Sequence, residues 1–555
     1  MEKESKNLNG LLFRTQNTIL SAAVILGVTS GISAILGLIK TRLLAKSFGI
    51  SRELTIFYTA DKIPNLMYSI LILGAISTVF IPVFTGLLKK DADGAYKTAS
   101  SIINFTLLFF ILIGTVIFLV SPTIIKLLSV GTFSEEEILL GSNIMRIMLV
   151  SQIFLVLGSL LTSVLQSFKY FTIPALAPVF YNIGMILGIV FLSDRFGIYG
   201  AAVGILIGSV LHFSIQLPLA KKTKFKYSPI VNFSDHNFKN IFNLIPARII
   251  NVLISNVTQT INNSLAILIS SSSAIYLRFA DQLQTFPVNL FGVSVAAASL
   301  PTLSSQAAYE DREKFKSTFL TSFHQVAYLV LPVSAILLIL RVPAIRIIYG
   351  VSNFPWASTI RTAQTLAFFS ISIFPQSVVY LTARAFYALK DTKTPVIINT
   401  LTAITNVSLA IFFITKLKFG VWSIALAYTI TSMIDAGLLV TFLSKKIGGF
   451  DSKKLFIPLT KILWSTALMG VMLYLPMKLL DNFILDTTRT INLLILTAIA
   501  SLTGIGAYLL ITRLLEVEEI ELFYKLLRKL KITKKDIKDI KTEAVNLTAT
   551  EQETV

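Results

Sequence analysis

The chain has no cysteine among its 555 residues, so it forms neither a disulfide nor a thiolate metal site. Histidine is almost as scarce: His212, His236 and His324 stand far apart, a scatter that suggests no metal centre. No glycine-rich loop ends in the lysine that cradles nucleotide phosphates, and no nucleophile elbow occurs. Nothing therefore argues for an ATPase or a hydrolase, and the loops are too short to house a soluble catalytic domain. Charge is sparse as well. Asp, Glu, Lys and Arg make up 14% of the chain, against about 25% in soluble domains. The opening MEKESKNLNGLLFRTQ is polar and lacks a cleavable leader pattern, so the first apolar run reads as a retained helix.

What the chain does have is apolar sequence, at 54% of residues and a mean hydropathy of +0.75. An apolar run of about 20 residues spans a bilayer core, and such runs recur from near residue 17 to near residue 515. They predict an all-α polytopic membrane protein with fourteen transmembrane helices, centred near residues 28, 74, 110, 152, 183, 209, 256, 289, 328, 371, 404, 431, 466 and 502. The net charge of +20 then belongs to basic loops facing anionic lipid rather than to nucleic-acid binding. An even helix count puts both termini on one side. That side also holds Lys-Lys at 89–90, KKTKFKY at 221–227, REKFK at 312–316, ARAFYALKDTK at 383–393, and Lys-Lys at 445–446 and 453–454. The positive-inside bias makes it the cytoplasm.

One basic cluster lies on the wrong side by this count. Residues 37–54, GLIKTRLLAKSFGISREL, carry Lys40, Arg42, Lys46 and Arg52 at the first outer turn. Lys46 and Arg52 read as snorkelling anchors; Lys40 and Arg42 are expected to point into a cavity.

The sequence also repeats itself. ADKIPNLMYSILILGAISTVFIP (60–82) pairs with ADQLQTFPVNLFGVSVAAASLP (280–301), SFKYFTIP (167–174) with ALKDTKTP (388–395), and FGIYG (196–200) with FGVWS (419–423). Each following helix in the last pair ends in Lys-Lys, at 221–222 and 445–446. The offsets of 220–223 residues span six helices, so the two copies share one orientation, as in transporters whose path runs between two lobes. The expected division is an N-terminal lobe over 1–225, a C-terminal lobe over 226–446, two further helices over 447–515, and a basic amphipathic cytoplasmic tail over 516–555.

Ionisable groups at membrane depth face a cavity or one another. The candidates are Lys40 and Arg42 in helix 1, Asp61 and Lys62 entering helix 2, Arg248 in helix 7, Arg278 and Asp281 in helix 8, and Arg384 ending helix 10. Basic residues outnumber acids, which suits an anionic solute and above all a phosphate. Arg278 and Asp281 share a helical face, so part of this charge is expected to neutralise itself. Asn262, Asn263 and Asn406 either offer oxygens to a cation or cross-link helices. Prolines 174, 287, 301 and 395 are tolerated where neighbouring helices re-satisfy the backbone.

Residues 33–66, SAILGLIKTRLLAKSFGISRELTIFYTADKIPNL, with LGAISTVFIPVF (73–84), resemble the first hairpin of the MurJ/MviN family of lipid II flippases. GSLLTSVLQSFKYFTIPALAPVFYNIGMI (158–186) and RAFYALKDTKTP (384–395) are similar to its helix 4–5 and helix 10–11 segments. The resemblance runs in order over residues 17–510. It implies the multidrug/oligosaccharidyl-lipid/polysaccharide exporter fold, two six-helix lobes in a V around a cationic cavity. It implies no enzyme, but transport of the undecaprenyl-diphosphate-linked peptidoglycan precursor from inner to outer leaflet of the bacterial cytoplasmic membrane by alternating access. It further implies a groove for the undecaprenyl tail at helices 13 and 14, membrane lipids and cell-wall synthesis enzymes as partners, and no cofactor beyond a monovalent cation or the membrane potential as driving force.

The charged positions depart from that family. Its first helix reads Ser-Arg-Xaa-Leu-Gly-Xaa-Xaa-Arg-Asp, where this chain has Ser33, Ala34, Ile35, Leu36, Gly37, Leu38, Ile39, Lys40 and Thr41. The family's helix 2 aspartate, arginine and glutamate align with Thr55, Tyr68 and Leu73, and its helix 8 Ala-Asp-Arg with Ala280, Asp281 and Gln282. Arg278 is expected to supply the missing guanidinium, with Lys40, Arg42 and Arg248 completing the diphosphate site and Asp61, Lys62, Asp281, Gln282 and Arg384 supporting it. Of the family's cation positions Asn262 and Asn406 remain, while an acid near Ala410 is absent. Three alternatives stay open at this point: a flippase for another polyprenyl-diphosphate-linked saccharide, a non-transporting cell-wall scaffold, and a small-solute antiporter on the same fold.

Overall fold

A computed structural model describes residues 19–70, 77–88, 91–223, 225–229, 231–232, 236–487 and 489–521. The chain runs through α1 (Ile19–Phe48), then the broken segment α2 (Arg52–Ala60), α3 (Lys62–Tyr68) and α4 (Ser77–Leu88). It continues with α5 (Ala92–Leu119), α6 (Glu135–Ser167), α7 (Thr172–Phe196) and α8 (Ile198–Ser214). The second half holds α9 (His236–Ile269), α10 (Ser271–Pro287), α11 (Ser294–Ala308), α12 (Arg312–Ile339), α13 (Trp356–Ala388), α14 (Lys393–Thr415) and α15 (Trp422–Ile447). Two more helices follow, α16 (Ser452–Phe483) and α17 (Thr490–Leu514). Among the described residues, 13 helices are long and apolar enough to cross a membrane, and they fall at 13 of the expected centres. The remaining expected helix is centred on residue 74, within 71–76, outside the described residues. The basic tail beyond 521 also lies outside them.

Local chemistry sets the helix ends. Ser134 and Glu137 close a capping box at the start of α6, where three glutamates fill the first turn and favour the positive end of the helix dipole. Asp91, Asp311 and Asp451 cap α5, α12 and α16 with their carboxylates. The same devices recur along the chain. Lys169 and Lys390, 221 residues apart, both turn with positive φ, and so do Gly197 and Lys418. Short helices at Ser121–Leu128 and Arg341–Tyr349 lead into α6 and α13.

Large apolar side chains such as Leu112, Phe191, Ile404, Trp464 and Leu502 remain exposed on the outer surface, as helices bathed in lipid tails require. Inside, α7 and α8 touch backbone to backbone: a Cβ on Gly188 would stand 2.2 Å from Gly204 Cα, and one on Gly184 2.4 Å from Gly208 Cα. Such small-residue seams let membrane helices approach closely. Between α10 and α11 the chain stays helical through a π stretch, Val288–Val293, directly after Pro287.

Helices α16 and α17 pack on each other, where Gly504 meets Leu473, and join α12 in one cluster with Tyr328, Met469, Ala500 and Tyr508. An apolar groove of about 980 Å³ is lined by α16 together with α12, α13 and α15.

Candidate functional site

A cavity of about 360 Å³ opens between the two halves. Helix α1 brings Lys40 to it, the α2–α3 junction Asp61, and α10 Arg278 and Gln282. Lys40 Nζ lies 5.8 Å from the centre of the Tyr181 ring and the Arg278 guanidinium 5.6 Å from that of Tyr58, so an aromatic face rather than a carboxylate backs each cation. Asp61 accepts a hydrogen bond from Asn65 Nδ2 at 3.2 Å. No described carboxylate lies within ion-pair distance of Lys40 or Arg278. Both are therefore available to an anion entering from solvent.

Arg278 also borders a smaller void of about 60 Å³, shared with Lys62, Asn262 and Asp281. The expected neutralisation of Arg278 by Asp281 does not occur. Asp281 instead accepts from Gln284 Nε2 at 3.0 Å, and Gln284 Oε1 accepts from Gln376 Nε2 at 2.7 Å. An amide relay, rather than an ion pair, holds this carboxylate and ties α10 to α13.

The halves are sealed at the end that carries the 49–51 and 350–355 turns. Thr41 Oγ1 lies 3.0 Å from Gln282 Oε1 and 2.9 Å from Gly37 O, so one hydroxyl proton serves two acceptors. Thr55 Oγ1 donates to Ser271 O at 2.6 Å and Asn353 Nδ2 to Lys46 O at 2.8 Å. Phe279 stacks on Tyr349 at 4.3 Å and meets Tyr58 edge-on at 6.5 Å. The departures at Thr41 and Gln282 are thus partners across the joint, and Thr55 bonds across it as well.

Other expected site residues lie elsewhere. Arg42 is exposed and donates to Ile347 O on the opposite half; two residues along a helix cannot share a face with Lys40. Arg52 does not snorkel. Its guanidinium donates to Glu137 Oε2 at 2.7 Å and Thr132 O at 3.0 Å. Arg384, toward the end of α13, lines neither cavity. Arg248 falls on α9, and its side chain is outside the described residues.

Asn262 Nδ2 donates to Asn406 Oδ1 at 3.0 Å, and Asn406 Nδ2 to Thr431 Oγ1 at 3.3 Å. These bonds cross-link α9, α14 and α15. Only Asn262 Oδ1 is left without a partner, whereas hard cations gather about six or more oxygens. The pair does not fit a bound cation in this arrangement, and no group of three or more His, Asp or Glu that could hold a metal occurs among the described residues.

Sequence reasoning gave no site role to Gln152 of α6 or His212 of α8, which both line the cavity wall. Both are buried, at 3% and 7% exposure, and Gln152 Oε1 and His212 Nδ1 have no hydrogen-bond partner. The only trace in the sequence is a lone polar side chain within an apolar run.

Comparison with known proteins gives one consistent result. The family model for lipid II flippase MurJ matches residues 44–494. A protein of Buchnera aphidicola (subsp. Acyrthosiphon pisum) named "Probable lipid II flippase MurJ" is 28% identical over 504 residues, covering 89% of this chain and 97% of that protein. The lipid II flippase MurJ of Thermosipho africanus is 28% identical over 430 residues, 77% of this chain and 86% of its own. Among solved structures, a lipid II flippase MurJ in an inward closed conformation superposes with a TM-score of 0.74 at 26% identity, over 91% of this chain and 99% of that one. An inward-facing multidrug transporter of the MATE family shares the fold, with a TM-score of 0.64 at 15% identity, over 77% of this chain and 98% of that one.

Proposed function

We propose that this chain, which belongs to the lipid II flippase MurJ family, grips the diphosphate of its lipid-linked saccharide with Lys40 and Arg278. The chain is a lipid II flippase, a transporter rather than an enzyme, and a multi-pass protein of the bacterial inner membrane working by alternating access. The observation that carries the residue assignment is the pair of cations in one cavity at the joint of the halves, free of ion-paired carboxylates. Charge-assisted hydrogen bonds from two such groups bind phosphate oxygens strongly. On this reading α1–α8 and α9–α15 are the two lobes, and the seal at Thr41, Thr55 and Asn353 is what opens to release the lipid. The groove beside α16 is wide and apolar enough for a polyprenyl chain.

The cavity charges also favour the membrane potential as driving force. Lys40, Lys62 and Arg278 against Asp61 and Asp281 leave one net positive charge. An inside-negative potential helps a bound anion outward and helps the emptied cationic cavity back, by about 2.3 kcal/mol per charge per 100 mV. The basic loops of residues 221–227, 312–316 and 383–393 support cytoplasmic termini.

Complementation of a flippase-depleted bacterium tests the assignment. Lys40→Ala and Arg278→Ala are each expected to abolish growth at normal membrane levels of the protein. Full growth of both variants would remove the diphosphate role. Loss of function on deleting residues 516–555, with the cavity variants active, would favour a scaffold.

A further inference from the structure

The cavity has a second wall that the diphosphate cannot satisfy. Gln152 and His212 line it from α6 and α8 of the N-terminal half, whereas Arg278 reaches it from α10. The position is built: Gly158 of α6 makes room for the imidazole, since a Cβ there would fall 2.3 Å from His212 Nδ1. His212 is further fixed through its backbone, whose carbonyl accepts from Gln216 Nε2 at 3.0 Å, while the same amide donates to Gly158 O at 3.0 Å. Yet Gln152 Oε1 and His212 Nδ1 are left unpaired in the buried wall. Buried polar atoms are normally hydrogen-bonded, and an exception calls for an explanation.

We propose that Gln152 and His212 form an uncharged subsite for the sugar next to the diphosphate, taking hydroxyl or acylamino groups of an N-acylated hexose. This rests on the diphosphate reading of Lys40 and Arg278. Three observations select a sugar. An amide oxygen needs a donor, and an ionised diphosphate offers none, whereas a hydroxyl or an N–H does. A neutral imidazole presents one donor and one acceptor, which matches a group that both gives and takes. Gln152 lies six residues from Gly158, about 9 Å along α6 at 1.5 Å per residue, farther than a single phosphate group reaches. The cavity volume of about 360 Å³ lies near the lower end of small-ligand pockets, which run from about 300 to 1,000 Å³. It holds the diphosphate and the adjoining sugar rather than a whole glycopeptide, so it reads the part of the substrate nearest the lipid.

The test uses the purified full-length chain and two probes, undecaprenyl diphosphate and undecaprenyl-diphosphate-linked N-acetylglucosamine. They differ by the sugar and by the one ionisable phosphate oxygen that the sugar esterifies; the sugar's contribution is therefore read as the change in their affinity ratio between variants. The wild type should bind the sugar-bearing lipid about tenfold more tightly, ~1.4 kcal/mol. Gln152→Leu and His212→Leu should each erase most of that advantage while binding undecaprenyl diphosphate within about twofold of wild type. Gly158→Ala, which displaces the ring without altering either polar group, should act in the same direction. Variants that keep the advantage, or lose affinity for both lipids alike, would overturn the subsite. Equal wild-type affinity for the two lipids, with the ratio unmoved in the variants, would also overturn it, and leaves the diphosphate site standing if Lys40→Ala weakens both. Failure of the wild type to bind either lipid would remove both readings.

Discussion

Replacing Thr41 with valine keeps the shape of the side chain and deletes one hydroxyl. In the sealed state that hydroxyl is shared between Gln282 Oε1 at 3.0 Å and Gly37 O at 2.9 Å. When the halves part, the hydroxyl remains satisfied within its own helix, so only the Gln282 side of the contact changes. The pair therefore contributes about one net neutral hydrogen bond to closure, ~1 kcal/mol. Losing it should raise the open-to-sealed ratio at this end about fivefold. Neither partner is charged, so the shift should not depend on salt. The absence of native cysteine makes the assay clean: spin labels at Glu136→Cys and Ser352→Cys, both exposed and on opposite halves, report the separation by pulsed electron resonance. Installing Thr41→Asp with Gln282→Arg should move the equilibrium the other way, because hydrogen bonds between charged groups are worth roughly 1.5–3 kcal/mol. Because Thr41 is 3% exposed, salt should weaken this gain much less than it would a surface pair. A Thr41→Val distance distribution indistinguishable from wild type, with Thr55→Val opening the seal, would show that the Thr41 contact carries none of the closure.

Two further outcomes concern stability. Gly188→Val places a side chain where 2.2 Å separates a Cβ from Gly204 Cα; overpacking costs about 1–3 kcal/mol even in adaptable cores, and here backbone meets backbone. A sharp fall in folded yield and thermal midpoint in detergent is expected, whereas Gly27→Val, which meets nothing within 4 Å, should leave both near wild type. The second outcome is pH-linked. Burial works to raise the Asp391 carboxyl, but the Lys446 ammonium at 2.6 Å and the Thr394 N–H and hydroxyl outweigh it and hold it at about 2, against an ordinary 3.8. A depressed acid stabilises the fold above its unfolded pKa and loses that contribution as pH falls through its folded one. Melting temperature should therefore drop between about pH 4 and 2 in the wild type, and Asp391→Asn should be less stable at pH 7 and flatter across that window.

The spans were legible because a bilayer imposes a length on every apolar run. That Lys40 and Arg278 would face a cavity was legible because isolated cations at membrane depth need a reason. Arg42 was misjudged by nearness in sequence, although helical geometry sends positions two apart to different faces. The pairing of Asp281 was misjudged for the opposite cause. Its helical neighbour Arg278 was eligible by spacing, but Gln284, which no charge pattern marks, held the better geometry. Thr41 and Gln282 each showed as a departure from a family pattern. That they compensate each other is a contact across 241 residues, which one sequence does not encode. Gln152 and His212 matter only because of what the fold leaves unbonded around them.

The π stretch between α10 and α11 acquires a mechanical meaning from what lies before it. Arg278, Asp281, Gln282 and Gln284 all sit on α10, ahead of Pro287; the helix then loosens over Val288–Val293 before α11 begins. At that loosened turn Gly292 rests on Ser377, where a Cβ would come within 2.4 Å of Oγ. Gln284 of α10 bonds to Gln376 of α13, and Ser377 is the next residue of that same helix. The π turn therefore lies between two points fixed to one partner, and any rotation of α10 must first break the Gln284–Gln376 bond.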